Sequence, residues 1–150
     1  MARKPAADLP LLLDNQLCFA VYSTGHAFNR VYKPLLERLG LTYPQYLVML
    51  VLWERDGVPL KDIGERLFLD SGTLTPLLKR LETNGYVARV RDVADERRVH
   101  ITLTTAGRRL KSRASNVPAC LMAATECSVP ELISLTQQIQ TLRDRIKKAA

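Results

Sequence analysis

Between Leu60 and Gly107 the spacing of hydrophobic positions changes character. Leu74, Leu77, Leu78 and Leu81 recur at intervals of three and four, the period of one inward-facing helix side. Asn84-Gly85 then supplies a helix stop. Beyond it Tyr86, Val87, Val90 and Val99, Ile101, Leu103 make two β-prone runs around the polar segment Asp92 to Arg98. With a short helix ahead of them from about Leu60, the order is helix, helix, hairpin, which describes a winged helix-turn-helix.

The flanks read as helices. Leu13, Leu17, Val21, Thr24, Phe28, Val31 and Leu35 keep helical spacing, with Asp14 as the expected cap and Pro34 as an expected break or restart. Thr42-Tyr-Pro-Gln45 has the form of a capping box and opens an apolar helix to Trp53 or Glu54 that must be buried. Thr104 or Thr105 starts a helix that meets Pro118, and Ser128-Val-Pro-Glu131 is a second capping box opening the last helix toward Lys148. Along that helix Leu132, Leu135, Ile139, Leu142 and Ile146 form a stripe too apolar to leave wet. We therefore expect a mainly α protein with a small β-hairpin wing. It reads as one domain over residues 1–150, with a reader at about 41–107 and the segments 1–40 and 108–150 joining two copies into a homodimer. A two-fold dimer lets two reading helices address grooves about 34 Å apart.

Charge sharpens this picture. From Tyr86 to Arg113 there are eight Lys or Arg against three Asp or Glu, so this stretch holds +5 of the chain's +7. Beside that basic ribbon, Ser71, Thr73, Thr75, Lys79 and Arg80 line the polar side of the second helix. Hydroxyls there meet base edges or phosphates, cations neutralise backbone charge, and an arginine at a ribbon tip enters a minor groove. Double-stranded DNA is the partner this combination suits.

The remaining composition excludes several classes. At 150 residues, 47% hydrophobic and 25% charged, the chain suits one compact domain. Leu9 to Leu13 is too short an apolar patch for a signal-peptide core, so the cytoplasm is the expected compartment and no membrane is involved. Three cysteines do not make a disulfide scaffold, and His26 and His100 are isolated from any Cys-x-x-Cys or His-x-x-x-His spacing. No cofactor or metal is expected, and no catalytic constellation.

Four stretches carry a more specific resemblance: DNQLCFAVYS around Cys18, LTYPQYLVMLVLWE from Leu41 to Glu54, LDSGTLTPLLKRLE from Leu69 to Glu82, and DERRVHITLTTAG from Asp95 to Gly107. Over nearly its whole length the chain resembles the MarR family of winged-helix regulators and, within it, the organic-hydroperoxide-sensing repressors of the OhrR type. The resemblance implies a dimeric repressor whose amino-terminal cysteine, here Cys18, reacts with peroxide beside two tyrosine hydroxyls, here Tyr32 and Tyr43. It implies that Cys127, just ahead of Ser-x-x-Glu, resolves the oxidised sensor through an intersubunit disulfide, as in two-cysteine members. It also implies that Asp95 orients Arg97 at the wing tip for the minor groove. Cys120 matches no family role.

Elementary chemistry is compatible with those roles. A thiolate is the nucleophile that attacks an O–O bond, and helix N-terminal N–H groups and hydroxyl donors favour the anion. Fourteen residues of continuous helix separate Cys18 from Tyr32 by about 21 Å, so the tyrosine hydroxyl has to come from the other subunit. Tyr22, one turn beyond Cys18, is the tyrosine able to approach along the same face. Phe19 favours an alkyl hydroperoxide over a small polar one. Three other readings share parts of this pattern. A regulator of the same fold releasing DNA on a phenolic or other small ligand needs no reactive thiol; a thiol peroxidase leaves the basic ribbon unexplained; a thiolate metal sensor lacks ligand spacing.

Overall fold

The computed structural model describes residues 6–150. Two 3₁₀ turns, Ala6–Leu11 and Leu13–Asn15, lead into α1 (Leu17–Glu37); α2 (Tyr43–Glu54), β1 (Val58–Pro59), α3 (Leu60–Leu67), α4 (Ser71–Thr83), β2 (Val87–Arg91), β3 (Val99–Leu103), α5 (Thr105–Ala114), α6 (Val117–Thr125) and α7 (Val129–Ala149) follow. The chain divides into two compact units, one ending at Ala114 and the other Ser115–Ala150.

The first unit is built on α2. Thr42 Oγ1 accepts from Gln45 N at 3.4 Å and Gln45 Oε1 accepts from Thr42 N at 2.9 Å, so the expected capping box forms. Tyr46, Val48, Met49, Val51 and Leu52 are all buried, and the helix meets α1, α3, α4, α5 and β3. Leu74, Leu78 and Leu81 of α4 are fully buried in the same core, whereas Leu77 is half-buried at its margin. Between α3 and α4 the chain turns on Phe68 at φ 56° while Leu69 N donates to Gly64 O at 2.9 Å. A Cβ on Gly64 would sit 2.9 Å from Leu69 O, so the closeness of this turn needs glycine.

The wing is a three-stranded antiparallel sheet in the order β1-β3-β2, with Val58 opposite Ile101 and Val87 opposite Leu103. Sequence reading finds the hairpin but not the two-residue β1, which is too short to show a period. After Thr83 the helix stops at Asn84, and Gly85 takes φ 80°, as the Asn-Gly pair predicts.

Two boundaries differ from expectation. Asp14 does not cap α1: it lies in a 3₁₀ turn, and the N-cap is Gln16, whose side chain makes no capping bond and instead donates to Pro10 O at 2.6 Å and Leu12 O at 3.0 Å. Pro34 neither breaks nor restarts the helix, which runs through it to Glu37. In the second unit Pro118 stands in the first turn of a new helix, α6, where its missing N–H costs nothing. Ser128 and Glu131 form the second capping box, with Ser128 N donating to Glu131 Oε2 at 2.7 Å, and α7 has no buried residue.

Candidate DNA-reading head and thiol site

Asp70 places α4. Its carboxylate accepts from Thr73 N at 2.7 Å, a side-chain cap that also holds the Asp70 carboxyl below the usual carboxylate range. With Leu74, Leu78 and Leu81 turned inward, Ser71, Thr73, Lys79 and Arg80 are exposed and Thr75 is half-buried. Pro76 lies inside α4 on its exposed side. The Asp70 cap was legible as Asp followed three residues later by Thr, but sequence reading began the helix at Ser71 without it.

The wing tip is a pair of side-chain-pinned turns. Asp92 Oδ1 accepts from Ala94 N at 2.8 Å, and Asp95 Oδ1 accepts from Arg97 N at 3.1 Å. Asp95 thus fixes Arg97 through its backbone; among the described residues no ion pair joins their side chains. Arg97 and Arg98 project exposed. At the base of the tip His100 Nε2 lies 3.0 Å from Asp92 Oδ2 and Nδ1 lies 3.4 Å from Gly57 O, joining the wing loop to the turn before β1. The Ala94 N–H first, and then His100, hold the Asp92 carboxyl low.

Cys18 is the second residue of α1 and is exposed. Because Gln16 turns its side chain back to the 3₁₀ segment, the N–H groups of the first helical turn have no side-chain acceptor among the described residues, an end that favours an anion. Around it Leu17, Phe19 and Val21 are exposed as well, with Phe28 further along the helix. Tyr22, four residues beyond Cys18 on α1, is exposed, and its ring meets that of His26 edge-on at 4.4 Å.

Tyr32 and Tyr43 do come together, with ring centroids 4.6 Å apart. Sequence reading named the pair but not its continuation: Tyr46 lies 5.9 Å from Tyr32, and Trp53 lies 6.4 Å from Tyr46. Positions 46 and 53, one heptad apart on α2, carried that signal. Burial first, then the neighbouring Tyr43 and Tyr46, push Tyr32 up to about 12, and burial raises Tyr43 and Tyr46 too. All three are therefore neutral donors at physiological pH. Since the fold prefers their neutral forms, this part of its stability is fully present below pH 10.0 and is lost as pH rises toward about 12. Alkaline titration followed by tyrosinate absorbance is expected to show these three ionising late, together with unfolding. Ionisation of every tyrosine at the ordinary pH in a still-folded protein would contradict it.

Cys18 and Tyr32 both lie on α1, fourteen residues apart, so within one chain the helix holds the thiol about 21 Å from the tyrosine pair. Cys127 follows the left-handed Glu126 that ends α6; it is half-buried, with Sγ 3.4 Å from Thr125 O. Cys120 is half-buried on α6. Among the described residues no cluster of three His, Cys, Asp or Glu could hold a metal, and no helix is long and apolar enough to cross a membrane.

Comparison with known proteins agrees with this architecture. A family model described as transcriptional regulator SarA/Rot matches residues 30–114. The HTH-type transcriptional regulator TtmR of Methylorubrum extorquens (strain PA1) is 52% identical over 143 residues, covering 95% of this chain and 73% of TtmR. The organic hydroperoxide resistance transcriptional regulator of Bacillus subtilis (strain 168) is 44% identical over 134 residues, covering 89% of this chain and 91% of that protein. Among solved structures, AbfR of Staphylococcus epidermidis superposes with a TM-score of 0.74 at 37% identity, covering 95% of this chain and 99% of AbfR. AbfR is also known reduced and bound to DNA, and in a disulfide form. On sequence and fold together, this chain belongs to the MarR-type winged-helix transcriptional regulators, the group that also holds the organic hydroperoxide resistance regulator.

Proposed function

We propose that this chain is a thiol-based repressor that binds operator DNA as a homodimer when reduced and lets go when an organic hydroperoxide oxidises Cys18. The observation that carries the reading is the setting of Cys18, exposed in the first turn of a helix whose N–H groups lack a side-chain cap and flanked by exposed Leu17 and Phe19. The Bacillus relative named for organic hydroperoxide resistance supports the choice of oxidant, and the AbfR forms support both the DNA and the disulfide.

In this scheme the Cys18 thiolate attacks the terminal oxygen of the hydroperoxide. The O–O bond breaks, an alkoxide leaves and takes a proton to become the alcohol, and sulfur is oxidised to sulfenic acid. The Cys127 thiol of the opposite protomer then displaces water from the sulfenic acid, closing a disulfide that cellular thiols reopen. Tyr32 and Tyr43 of the opposite protomer hydrogen-bond the resting thiolate as neutral donors. Tyr22, one helical turn beyond Cys18, is a further candidate donor along the same face of α1. On DNA, Ser71, Thr73, Thr75, Lys79 and Arg80 meet the major groove while Arg97, fixed by Asp95, enters the minor groove. A gel shift on DNA upstream of the protein's own gene tests the whole: the reduced protein binds, hydroperoxide abolishes the shift, and a thiol reductant restores it. A shift indifferent to hydroperoxide removes the proposal.

The dimer follows from surface that one chain leaves wet. Phe19, Val21 and Phe28 on α1 and Ile133, Leu135, Ile139 and Ile146 on α7 are all exposed. The double change Leu135→Asp and Ile139→Asp is expected to give a folded monomer in sedimentation that no longer shifts DNA. A parent protein that is monomeric at micromolar concentration and still binds DNA would overturn the assembly.

A further inference from the structure

Helix α2 has one end in the tyrosine pair and the other in the root of the wing. At its first residue, the Tyr43 ring packs against that of Tyr32 with centroids 4.6 Å apart. In its last turn Trp53 Nε1 donates to Gly107 O at 3.0 Å, and Lys111 Nζ donates to Trp53 O at 3.3 Å. Just beyond the helix, Asp56 Oδ1 accepts from Leu103 N at 2.7 Å while Oδ2 lies 3.3 Å from Arg108 Nη1, which also donates to Leu103 O at 3.0 Å. Leu103 ends β3, and Gly107 and Arg108 stand in the first turn of α5. The residue ahead of β2 is equally close, because a Cβ on Gly107 would overlap Tyr86 O and lie 3.0 Å from Tyr86 C.

The helix between these ends cannot bend to absorb a shift. Tyr46, Val48, Met49, Val51 and Leu52 are buried along it, its ladder holds no interior proline, and its twelve residues span about 18 Å. A helix so packed carries a displacement at Tyr43 along its axis toward Trp53, and Asp56 follows two residues beyond its end.

We propose that Trp53 and Asp56 are positioning residues that carry the state of the tyrosine pair to the wing. The inference rests on the redox reading above. When oxidation takes away the sulfur that the hydroxyls hold, the pair relaxes and α2 moves as one body. The two contacts at its far end then draw the root of β3, and with it the arginines of the tip, out of the geometry that fits a groove. Coupling between two sites commonly amounts to about 5- to 150-fold in affinity, within reach of two such contacts.

The test uses the full-length dimer. Trp53→Phe keeps a ring but removes the indole donor; Asp56→Asn keeps an acceptor for Leu103 N but removes the charge opposite Arg108. For each variant and the pair together, three quantities are read: DNA affinity when reduced, the rate of Cys18 oxidation by trapping of the sulfenic acid, and DNA affinity after hydroperoxide. The double variant is expected to bind within about threefold of the parent when reduced and to oxidise at the parental rate. Its loss of affinity on oxidation is expected to shrink by about tenfold or more, within the usual span of coupling. A full parental loss on oxidation overturns the inference. So does failure of the reduced variants to bind DNA, since the contacts would then serve only the wing's fold. The redox reading fails separately, if Cys18→Ser with Trp53 and Asp56 intact still releases DNA under the same oxidant.

Discussion

Replacing Cys18 by serine is expected to leave the DNA complex standing at hydroperoxide concentrations that dissolve the parent complex. A serine hydroxyl at the second position of α1 keeps the size, the exposure and the hydrogen-bonding site of the thiol, but it has no sulfur to accept an oxygen atom. Reduced affinity should be nearly unchanged, because Cys18 lies on α1 and the groove-facing side chains lie on α4 and the wing. The response should fall by about two orders of magnitude or more, the top of the range for coupled sites. Cys127→Ser should behave differently: it still releases DNA, but the product is sulfenic acid open to irreversible overoxidation, and no interchain bond appears on a non-reducing gel. A serine variant at position 18 that releases DNA like its parent points instead to a non-covalent ligand, such as a phenol.

The second large effect is that of salt. If the two heads of a dimer together neutralise at least six phosphates, affinity falls by on the order of 10³-fold between about 50 and 200 mM salt. Lys79, Arg80, Arg97 and Arg98 are the cations placed for it; all are exposed, and none has an ion pair among the described residues. By contrast Arg66 is committed to Glu54 at 2.7 Å and Arg108 to Asp56, and these should leave the salt slope alone. Lys79→Ala should lower the slope by about one per head with little change in sequence preference, whereas Arg97→Ala should cost preference at the position its side chain reaches. A flat salt response would argue against this docking.

Much of the reading head was legible because it is local. The interval of Leu74, Leu78 and Leu81, the Thr42 and Ser128 capping boxes, and the Asn84-Gly85 stop each involve residues within a turn or two of one another. Errors arose where a local signal had a competitor. Asp14 looks like a cap, yet the side chains of Asn15 and Gln16 fold back on the 3₁₀ segment and the helix begins after them. Pro34 looks like a break, but it falls in the last turns of α1 and the helix carries on past it. What no spacing could show was contact between distant segments. Trp53 reaches Gly107 across 54 positions and Asp56 reaches Leu103 across 47, and no local spacing names either partner.

The lack of room at Gly107 bears on how this protein tolerates change. A single added methyl group there meets a peptide carbonyl of Tyr86, part of the rigid main chain and unable to swing aside as a side chain would. Substitutions at this position should therefore be nearly absent from any library of variants selected for a working regulator, whatever the replacement, while neighbouring exposed positions such as Arg109 accept many. One codon, remote from both the thiol and the groove, would stand out as a place where drift is forbidden by volume alone.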